Sequence, residues 1–170
     1  MRGTTQHTKP QSGYWGSVDY YRSRSNPDRS PKDVPLAVHN KIVTWMMDMK
    51  FEAHRGNSIF VTSDKSEAGE MYGRPFIIFP VNGFKFTWSK THKDFFKSIE
   101  QNRELQEQIL RLDMDSIQDI HWFDNFFQFE NTNLGQAFKS NHEVMITGEY
   151  YAINSSHEVF VEDNIIRAIK

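Results

Sequence analysis

Three short and widely spaced segments carry the charged and hydroxylic side chains best suited to chemistry. They are Arg2-Gly3-Thr4, Ile59-Phe60-Val61-Thr62-Ser63 and Asn141-His142-Glu143. A guanidinium can clamp a phosphate group through paired hydrogen bonds. A carboxylate can stabilise positive charge that develops on a sugar ring, as it does in glycoside hydrolysis. Together these segments combine a cationic, an acidic and several hydroxyl groups that could act on one ligand if the fold brought them together.

Each segment alone has an ordinary structural explanation. Arg-Gly-Thr occurs by chance, and Thr-Ser after a strand is usually a helix cap. A glutamate that opens a strand usually protects a sheet edge from unwanted pairing. The joint occurrence of the three segments, in this order, is what favours a functional interpretation.

In their order and spacing, the segments resemble the Arg-Gly, Ser-Thr-Ser and Glu-x-Glu signatures of the mono-ADP-ribosyltransferase family. The third segment, which continues as Val144-Met145-Ile146 before a glycine turn, is most similar to the small bacteriophage-encoded members. The resemblance spans residues 2 to 153. It implies one ADP-ribosyltransferase-like domain over residues 1–170, of α+β class, with a split β-sheet core flanked by helices.

The resemblance also implies a role for each motif residue. Glu143 would be the catalytic carboxylate near the ribose, and Arg2 would clamp the pyrophosphate of NAD. Gly3 would let the backbone approach the nicotinamide amide, and hydroxyls from the second motif would hydrogen-bond Glu143. The predicted NAD-binding residues are Arg2, Gly3, Thr4, Phe60, Thr62, Ser63 and Tyr72, with Phe60 or Tyr72 stacking on the nicotinamide.

This chain departs from the family pattern in the second motif. Val61 stands at the first serine of Ser-Thr-Ser, and a shift of one residue would put Thr62 there instead. The strand over residues 56–61 also resembles that of the poly(ADP-ribose) polymerase branch. That branch has histidine at the position of Arg2, so the arginine branch is favoured.

A second departure concerns the acceptor. Asn141 stands where arginine-modifying members carry a first glutamate. An amide both donates and accepts hydrogen bonds, so it suits an amide side chain or a base edge better than a guanidinium. Asn141 is therefore the predicted acceptor-binding residue, and the acceptor is predicted to be a nucleic-acid base or a protein side chain other than arginine.

The implied function is transfer of ADP-ribose from NAD, as co-substrate, to RNA, DNA or protein in a toxin, bacteriophage or antiviral defence setting. No metal is expected, and the toxin-type members imply an inhibitory antitoxin partner. Two other interpretations fit the same residues. The chain could be a catalytically inactive binding module of this fold, or a small interaction protein with chance motif matches.

Composition excludes several other classes of site and of protein. The net charge is −2, there is no cysteine, and the seven histidines include no HxxxH pair. Glycine-rich phosphate loops and nucleophile elbows are absent from the sequence. The N-terminal residues are polar, which is unlike a signal peptide, and no apolar run approaches the ~20 residues of a membrane span. A cytoplasmic location without membrane association is the expectation.

Hydrophobic patterning predicts the elements that position these segments. Helices are predicted over residues 38–49, capped by Asp33, and over 64–72, 93–112 and 117–129. Strands are predicted over residues 58–63, 143–147, 150–153 and 157–168. Two more strands, over 75–81 and 84–89, are predicted to form a hairpin across Asn82-Gly83.

Residues 14–35 are rich in aromatic and basic side chains and are predicted to be an irregular loop. The aromatic–basic cluster within it comprises Tyr14, Trp15, Tyr20, Tyr21, Arg22, Arg24 and Arg29. Such a cluster can pack against its own rings, or it can form a platform for a ligand that carries phosphates or bases.

Overall fold

Two four-stranded antiparallel sheets and a set of helices form the molecule, so the predicted α+β class is confirmed. The structure is a computed structural model, and it describes residues 11–15, 18–31, 34–72 and 75–162. Sheet A has the strand order β1-β2-β8-β4, and sheet B has the order β3-β7-β5-β6. The strands are β1 (Gln11–Trp15), β2 (Val18–Arg24), β3 (Ile59–Val61), β4 (Phe76–Pro80), β5 (Lys85–Ser89), β6 (Phe129–Glu130), β7 (Val144–Thr147) and β8 (Glu149–Asn154).

The helices lie mainly on sheet B. They are α1 (Leu36–Asp48), α2 (Lys65–Tyr72), α3 (Phe95–Glu100), α4 (Arg103–Arg111), α5 (Ile117–Phe127), α6 (Leu134–Ser140) and α7 (Glu158–Val161). Apolar faces of α1, α3, α4 and α5 pack with Met145 and Phe129 of the sheet. The high aromatic content serves this core, where Trp45 stacks on Phe123 with ring centroids 5.0 Å apart.

The opposite face of sheet B is covered by α6, whose Ala137 is buried against Trp88, Val144 and Ile146. Sheet A has a smaller apolar cluster, in which Val161 of α7 packs on Ile153. None of the helices in the described part of the chain is long and apolar enough to cross a membrane.

The predicted hairpin between residues 75–81 and 84–89 is wrong. The turn exists, with Gly83 at φ +93°, but β4 pairs with β8 in sheet A and β5 pairs with β7 in sheet B. The strands β7 and β8 belong to different sheets, and the chain passes from one to the other at Gly148. Because β8 pairs with β4 and β7 pairs with β5, non-local pairing overrides the local turn signal.

Residues 14–35 are not a loop throughout, because β1 and β2 pair there and β2 continues the pairing to β8. The polar composition concealed a strand whose Tyr, Arg and Ser residues alternate between two faces. The predicted final strand is also wrong over its described part. Asn154 accepts a hydrogen bond from the Ser156 amide, a 3₁₀ turn follows, and α7 begins at Glu158.

One predicted helix is divided in the structure, and another is shorter than the pattern indicated. The helix over 93–112 is divided, because Asn102 accepts a hydrogen bond from the Leu105 amide at 2.9 Å and caps a new helix. The helix over 117–129 ends at Phe127, since Gln128 adopts a left-handed conformation and Phe129 enters β6. Asp33, the predicted cap of the first helix, lies outside the described residues.

Gly148 lets the chain pass from sheet B to sheet A, and its replacement should be costly. Its φ is +121°, and a Cβ atom would lie 3.3 Å from Cα of Phe84. We expect Gly148→Ala to lower the free energy of unfolding by about 1–3 kcal/mol in urea titrations. Gly135→Ala in α6 is the matched control, because a Cβ there meets nothing within 4 Å and helix propensity favours alanine by about 1 kcal/mol. Equal effects of the two substitutions would contradict this account of the turn.

Candidate functional site

A cleft of about 460 Å³ lies between the two sheets. Its walls include β3, an edge strand of sheet B, and β4, an edge strand of sheet A, together with residues of α2. The lining is largely apolar, with polar groups converging from the ends of β3 and β7. Clefts of this kind are the usual sites for small ligands.

Strand pairing brings the second and third motifs together in this cleft. The antiparallel register of β3 and β7 pairs Val61 with Val144. Thr62 follows Val61 and Glu143 precedes Val144, so the two residues lie at the same end of the strand pair. Thr62, Ser63 and Glu143 all line the cleft, although nearly half of the chain separates them in sequence.

Glu143 is the most unusual side chain of the site. Its amide donates to the carbonyl of Lys93 at 2.7 Å, which fixes the backbone at the start of β7. The residue is half-buried, but its Oε2 atom is inaccessible to solvent and has no hydrogen-bond partner among the described residues. A buried polar atom without a partner is costly, and ligand binding is one explanation for its presence in a cleft.

Burial raises the pKa of Glu143 to about 8, and the negative charge of Asp94 acts in the same direction. The positive charges of Arg55 and Arg29 act against this rise but do not cancel it. The carboxyl group is therefore mostly protonated at neutral pH when the cleft holds no ligand. A cation placed against it would favour its ionised form.

The two motif hydroxyls do not bond Glu143 as expected. Thr62 Oγ1 lies 3.4 Å from the carbonyl oxygen of Asn141, and it accepts from the amide of Asp64 at 3.1 Å. Ser63 Oγ contacts Oδ1 of Asn141 at 2.7 Å and the carbonyl of Phe138. The reason is that α6 ends in a left-handed Asn141, at φ 59°, which turns this segment toward the end of β3. The hydroxyls thus hold the segment that leads into Glu143.

The contacts of Ser63 also bear on the orientation of the Asn141 amide. A hydroxyl has one proton, so Ser63 cannot donate to both the Phe138 carbonyl and Oδ1 of Asn141. Rotating the amide by half a turn makes Nδ2 the donor to Ser63 Oγ, and this satisfies both groups. Asn141 is exposed, and in this orientation it presents its oxygen to solvent beside the cleft.

Phe60 lines the cleft, but a cation already covers its ring. The Arg29 guanidinium lies 4.2 Å from the ring centroid, and Nη1 of Arg29 donates to the Ser58 carbonyl at 3.2 Å. Arg55, which is buried, lies 5.9 Å from the same centroid. The face of Phe60 that Arg29 covers is not open for stacking of nicotinamide.

Among the other predicted site residues, Arg2, Gly3 and Thr4 lie outside the described residues, and Tyr72 is the last residue of α2. Within the described ranges, no group of three or more His, Asp and Glu side chains could hold a metal ion.

Comparisons with protein-family models, with curated proteins and with solved structures found no match. The functional argument therefore depends on the side chains of this chain and their surroundings.

Sequence reasoning missed several charged residues of the cleft. Glu67, Asp94, Lys65 and Glu158 all line it, and Lys65 forms a salt bridge with Glu158. Lys93 bridges Asp64 at 2.9 Å and Glu67 at 3.3 Å. The only signal in the sequence was the proximity of Lys93 and Asp94 to a predicted helix start, which does not distinguish them from ordinary surface charges.

A second depression adjoins the cleft and was also not predicted. It has a volume of about 320 Å³ and shares Ile59, Phe60 and Tyr150 with the cleft. Its polar lining comes from Ser23, Arg24, Asn26, Arg29 and Ser58. Guanidinium groups are therefore placed directly beside the apolar cleft that contains Glu143.

Proposed function

We propose that the cleft binds NAD and that the protein transfers ADP-ribose from it to a macromolecular acceptor. The observation that carries the proposal is Glu143, a buried carboxyl group without a hydrogen-bond partner for Oε2, which lines a cleft between two sheet edges. Thr62 and Ser63, which match the second motif of the family that this chain resembles, lie at the same end of the strand pair as Glu143. These residues are the ones that the resemblance implies for ADP-ribosyl transfer.

The reaction uses the charge of Glu143. The bond between the ribose and the nicotinamide nitrogen breaks, and its electron pair leaves with nicotinamide, whose ring loses its positive charge. Positive charge develops on the ribose, and the Glu143 carboxylate stabilises it. A nucleophilic nitrogen or oxygen of the acceptor then bonds to the ribose carbon, and its proton passes to Glu143 or to solvent.

The raised pKa of Glu143 fits a site that binds a cation. The nicotinamide ring of NAD is positively charged, so its arrival beside the carboxyl group favours loss of the proton. Ligand binding would then ionise Glu143 at the moment when its negative charge is needed. In the cleft without ligand, the neutral form spares the protein a buried, uncompensated anion.

The phosphates of NAD require cations, and the described part of the cleft supplies one lysine. Lys65 lines the cleft and pairs with Glu158, and this pair can exchange for a phosphate. The proposed pyrophosphate clamp, Arg2, stays a prediction of the resemblance. Asn141, which contacts Ser63 at the rim, is the proposed residue for reading an acceptor other than arginine.

A catalytically inactive binding module is the second candidate. Val61 lines the cleft where the family carries a serine hydroxyl, so one hydrogen-bonding group is missing from the site. Such a module would bind NAD without releasing nicotinamide.

Glu143→Gln should reduce nicotinamide release by about 100-fold or more, which is typical when one group that stabilises transition-state charge is removed. The test incubates purified protein with labelled NAD and a cell lysate, and measures free nicotinamide and label in protein, RNA and DNA separately. Glu130→Gln is the matched control, because Glu130 lies in sheet B, pairs with Lys90 and is not a cleft residue. It should keep the wild-type rate.

Each result of this experiment decides between the candidates. Release that depends on Glu143 supports the transferase, and the labelled fraction identifies the class of acceptor. Release that is unchanged in Glu143→Gln contradicts the assigned role. NAD binding with no release by the wild-type protein favours the inactive module.

A further inference from the structure

One face of sheet A carries aromatic and guanidinium groups side by side. The register of β2 and β8 pairs Arg22 with Tyr151 and Arg24 with Glu149, and paired residues in a sheet point to the same face. The Arg22 guanidinium lies 5.9 Å from the Tyr151 ring centroid. Tyr20 meets Tyr151 edge to face at 5.9 Å. Tyr151 keeps 36% of its surface exposed, so its ring is accessible for contacts.

Arg24 belongs to the same strand as Arg22, and it also lines the second depression. Ser23 and Tyr150, which line that depression too, pair on the opposite face of the sheet. We call Arg22, Arg24 and Tyr151 the arginine track, since the register places all three on one face of sheet A.

The charge of the track is positive, although the chain as a whole has a net charge of −2. Glu149 is the carboxylate that pairs with the track, through Arg22 at 2.8 Å and Arg24 at 3.1 Å. A guanidinium has five N–H donors, and each of these arginines directs one nitrogen to Glu149. Their other donors remain available at exposed side chains.

We propose that the arginine track binds single-stranded nucleic acid. Phosphodiester groups would lie on Arg22 and Arg24, and an unpaired base would stack on Tyr151. Polyanionic backbone complements the two cations, and an accessible aromatic ring beside arginine is how proteins hold unpaired bases. A duplex keeps its bases stacked and cannot use the ring.

A role of the track in holding an acceptor nucleic acid rests on the proposed function, because the proposed transferase needs a macromolecular acceptor. The binding itself does not require NAD. Binding and transfer can therefore fail separately.

The test is fluorescence anisotropy with labelled oligonucleotides of about 12 nucleotides, a length within the range that such sites contact. Single-stranded RNA, single-stranded DNA and the corresponding DNA duplex are compared without NAD at several salt concentrations. We expect both single strands to bind more tightly than the duplex. The single strand that binds more tightly identifies the ligand as RNA or DNA. The variant Arg22→Ala/Arg24→Ala should bind about tenfold more weakly. Its log–log salt slope should be shallower by about 1.4, because each phosphate contact on a single strand contributes about 0.7.

A matched control exists in α4. Arg103 and Arg111 share Glu107, as Arg22 and Arg24 share Glu149, but Glu107, Arg111 and their neighbours form a depression without an aromatic ring. Arg103→Ala/Arg111→Ala removes the same charge and should leave affinity and salt slope near those of the wild type. The variant Arg22→Lys/Arg24→Lys keeps the positive charge and should therefore keep the salt slope of the wild type. It tests the role of charge even if the double-alanine variant weakens sheet A.

The aromatic contribution has its own control on the opposite face of the same sheet. Tyr21 is 38% exposed, close to the value for Tyr151, but it pairs with Ala152 and so faces the other way. Tyr151→Leu should weaken single-strand binding about tenfold, which is typical of one lost base stack, whereas Tyr21→Leu should not.

Absence of single-strand binding by the wild-type protein at low salt would overturn the proposal, as would equal losses in the two double-alanine variants. Glu143→Gln should bind nucleic acid like the wild type. Intact binding together with no nicotinamide release would leave the track in place and contradict only the transferase.

Discussion

Glu143→Gln will stabilise the folded protein increasingly as the pH rises from about 5 to about 8, relative to the wild type. Burial raises the pKa of Glu143 from its ordinary value of 4.5 to about 8. Between these values the unfolded chain has lost the proton and the folded chain keeps it. The free energy of unfolding of the wild type therefore falls by about 1.4 kcal/mol per pH unit over this window through this group. Glutamine does not titrate, so the variant does not show this loss.

The measurement is urea unfolding of both proteins at several pH values, followed by circular dichroism. The stability difference between variant and wild type should grow by about 3 kcal/mol in total from about pH 5 to about pH 8. Glu130→Gln is the control, for which the stability difference should not change with pH. The salt bridge to Lys90 lowers the pKa of Glu130, so its contribution is complete above its ordinary pKa and the difference should stay constant over this window. A constant difference for Glu143→Gln would show that its carboxyl group is solvated and ionised like an ordinary glutamate.

Arg55→Met should destabilise the protein by about 3 kcal/mol or more at about pH 9, where Glu143 is ionised, because Arg55 is a buried cation whose charge acts on that carboxyl group. Arg55 is 3% exposed, and it lies 5.9 Å and 5.8 Å from the ring centroids of Phe60 and Phe95. Its charge lowers the pKa of Glu143. Without it, ionisation of Glu143 becomes more costly, so the destabilisation should be larger at about pH 9 than at about pH 7.

Denaturant titrations of Arg55→Met with and without Glu143→Gln test this coupling. The increase in cost between the two pH values should disappear in the double variant, since no carboxyl group remains at position 143. Arg103→Met is the control, because Arg103 is exposed on α4 and exposed ion pairs contribute little. A cost of Arg55→Met that does not change with pH, or that persists in the double variant, would show that Arg55 acts through packing alone.

The family resemblance predicted that the second and third motifs meet, and the described structure brings them to one end of a strand pair. Both lie on short apolar strands with clear patterns, and the end of one strand must adjoin the start of the other if they pair in antiparallel fashion. The helix cap at Asp64 and the turn at Gly148 could also be predicted, because both depend on neighbouring residues. Asp64 Oδ1 accepts from the Glu67 amide and starts α2, and Gly148 carries the positive φ that its turn requires.

The resemblance implied a split β-sheet, but the pairing of strands within the two sheets could not be predicted from local patterns. Asn82-Gly83 has the composition of a hairpin turn, but β4 pairs with β8, which lies about seventy residues further along, and β5 pairs with β7, which lies about sixty residues further along. Pairing over such distances is decided by the burial of whole faces, which a local pattern does not contain. The strand β2 was missed because its composition is polar and because β8, the strand that joins it to the rest of the sheet, lies far away in sequence.

The electrostatic surroundings of Glu143 were equally non-local. Arg29 and Arg55 come from the segments before and after α1, and Asp94 comes from the residues that precede α3. Each resembles an ordinary surface charge in the sequence. Only the fold places them where they shift the pKa of one buried carboxyl group.

The central claim is that NAD binds in the cleft with its cationic ring against Glu143. Calorimetric titration with NAD at about pH 7, in two buffers that differ in ionisation enthalpy, counts the protons released on binding. The account predicts release of about one proton by the wild-type protein and none by Glu143→Gln. No binding of NAD by the wild-type protein, or the same proton count for both proteins, would contradict it.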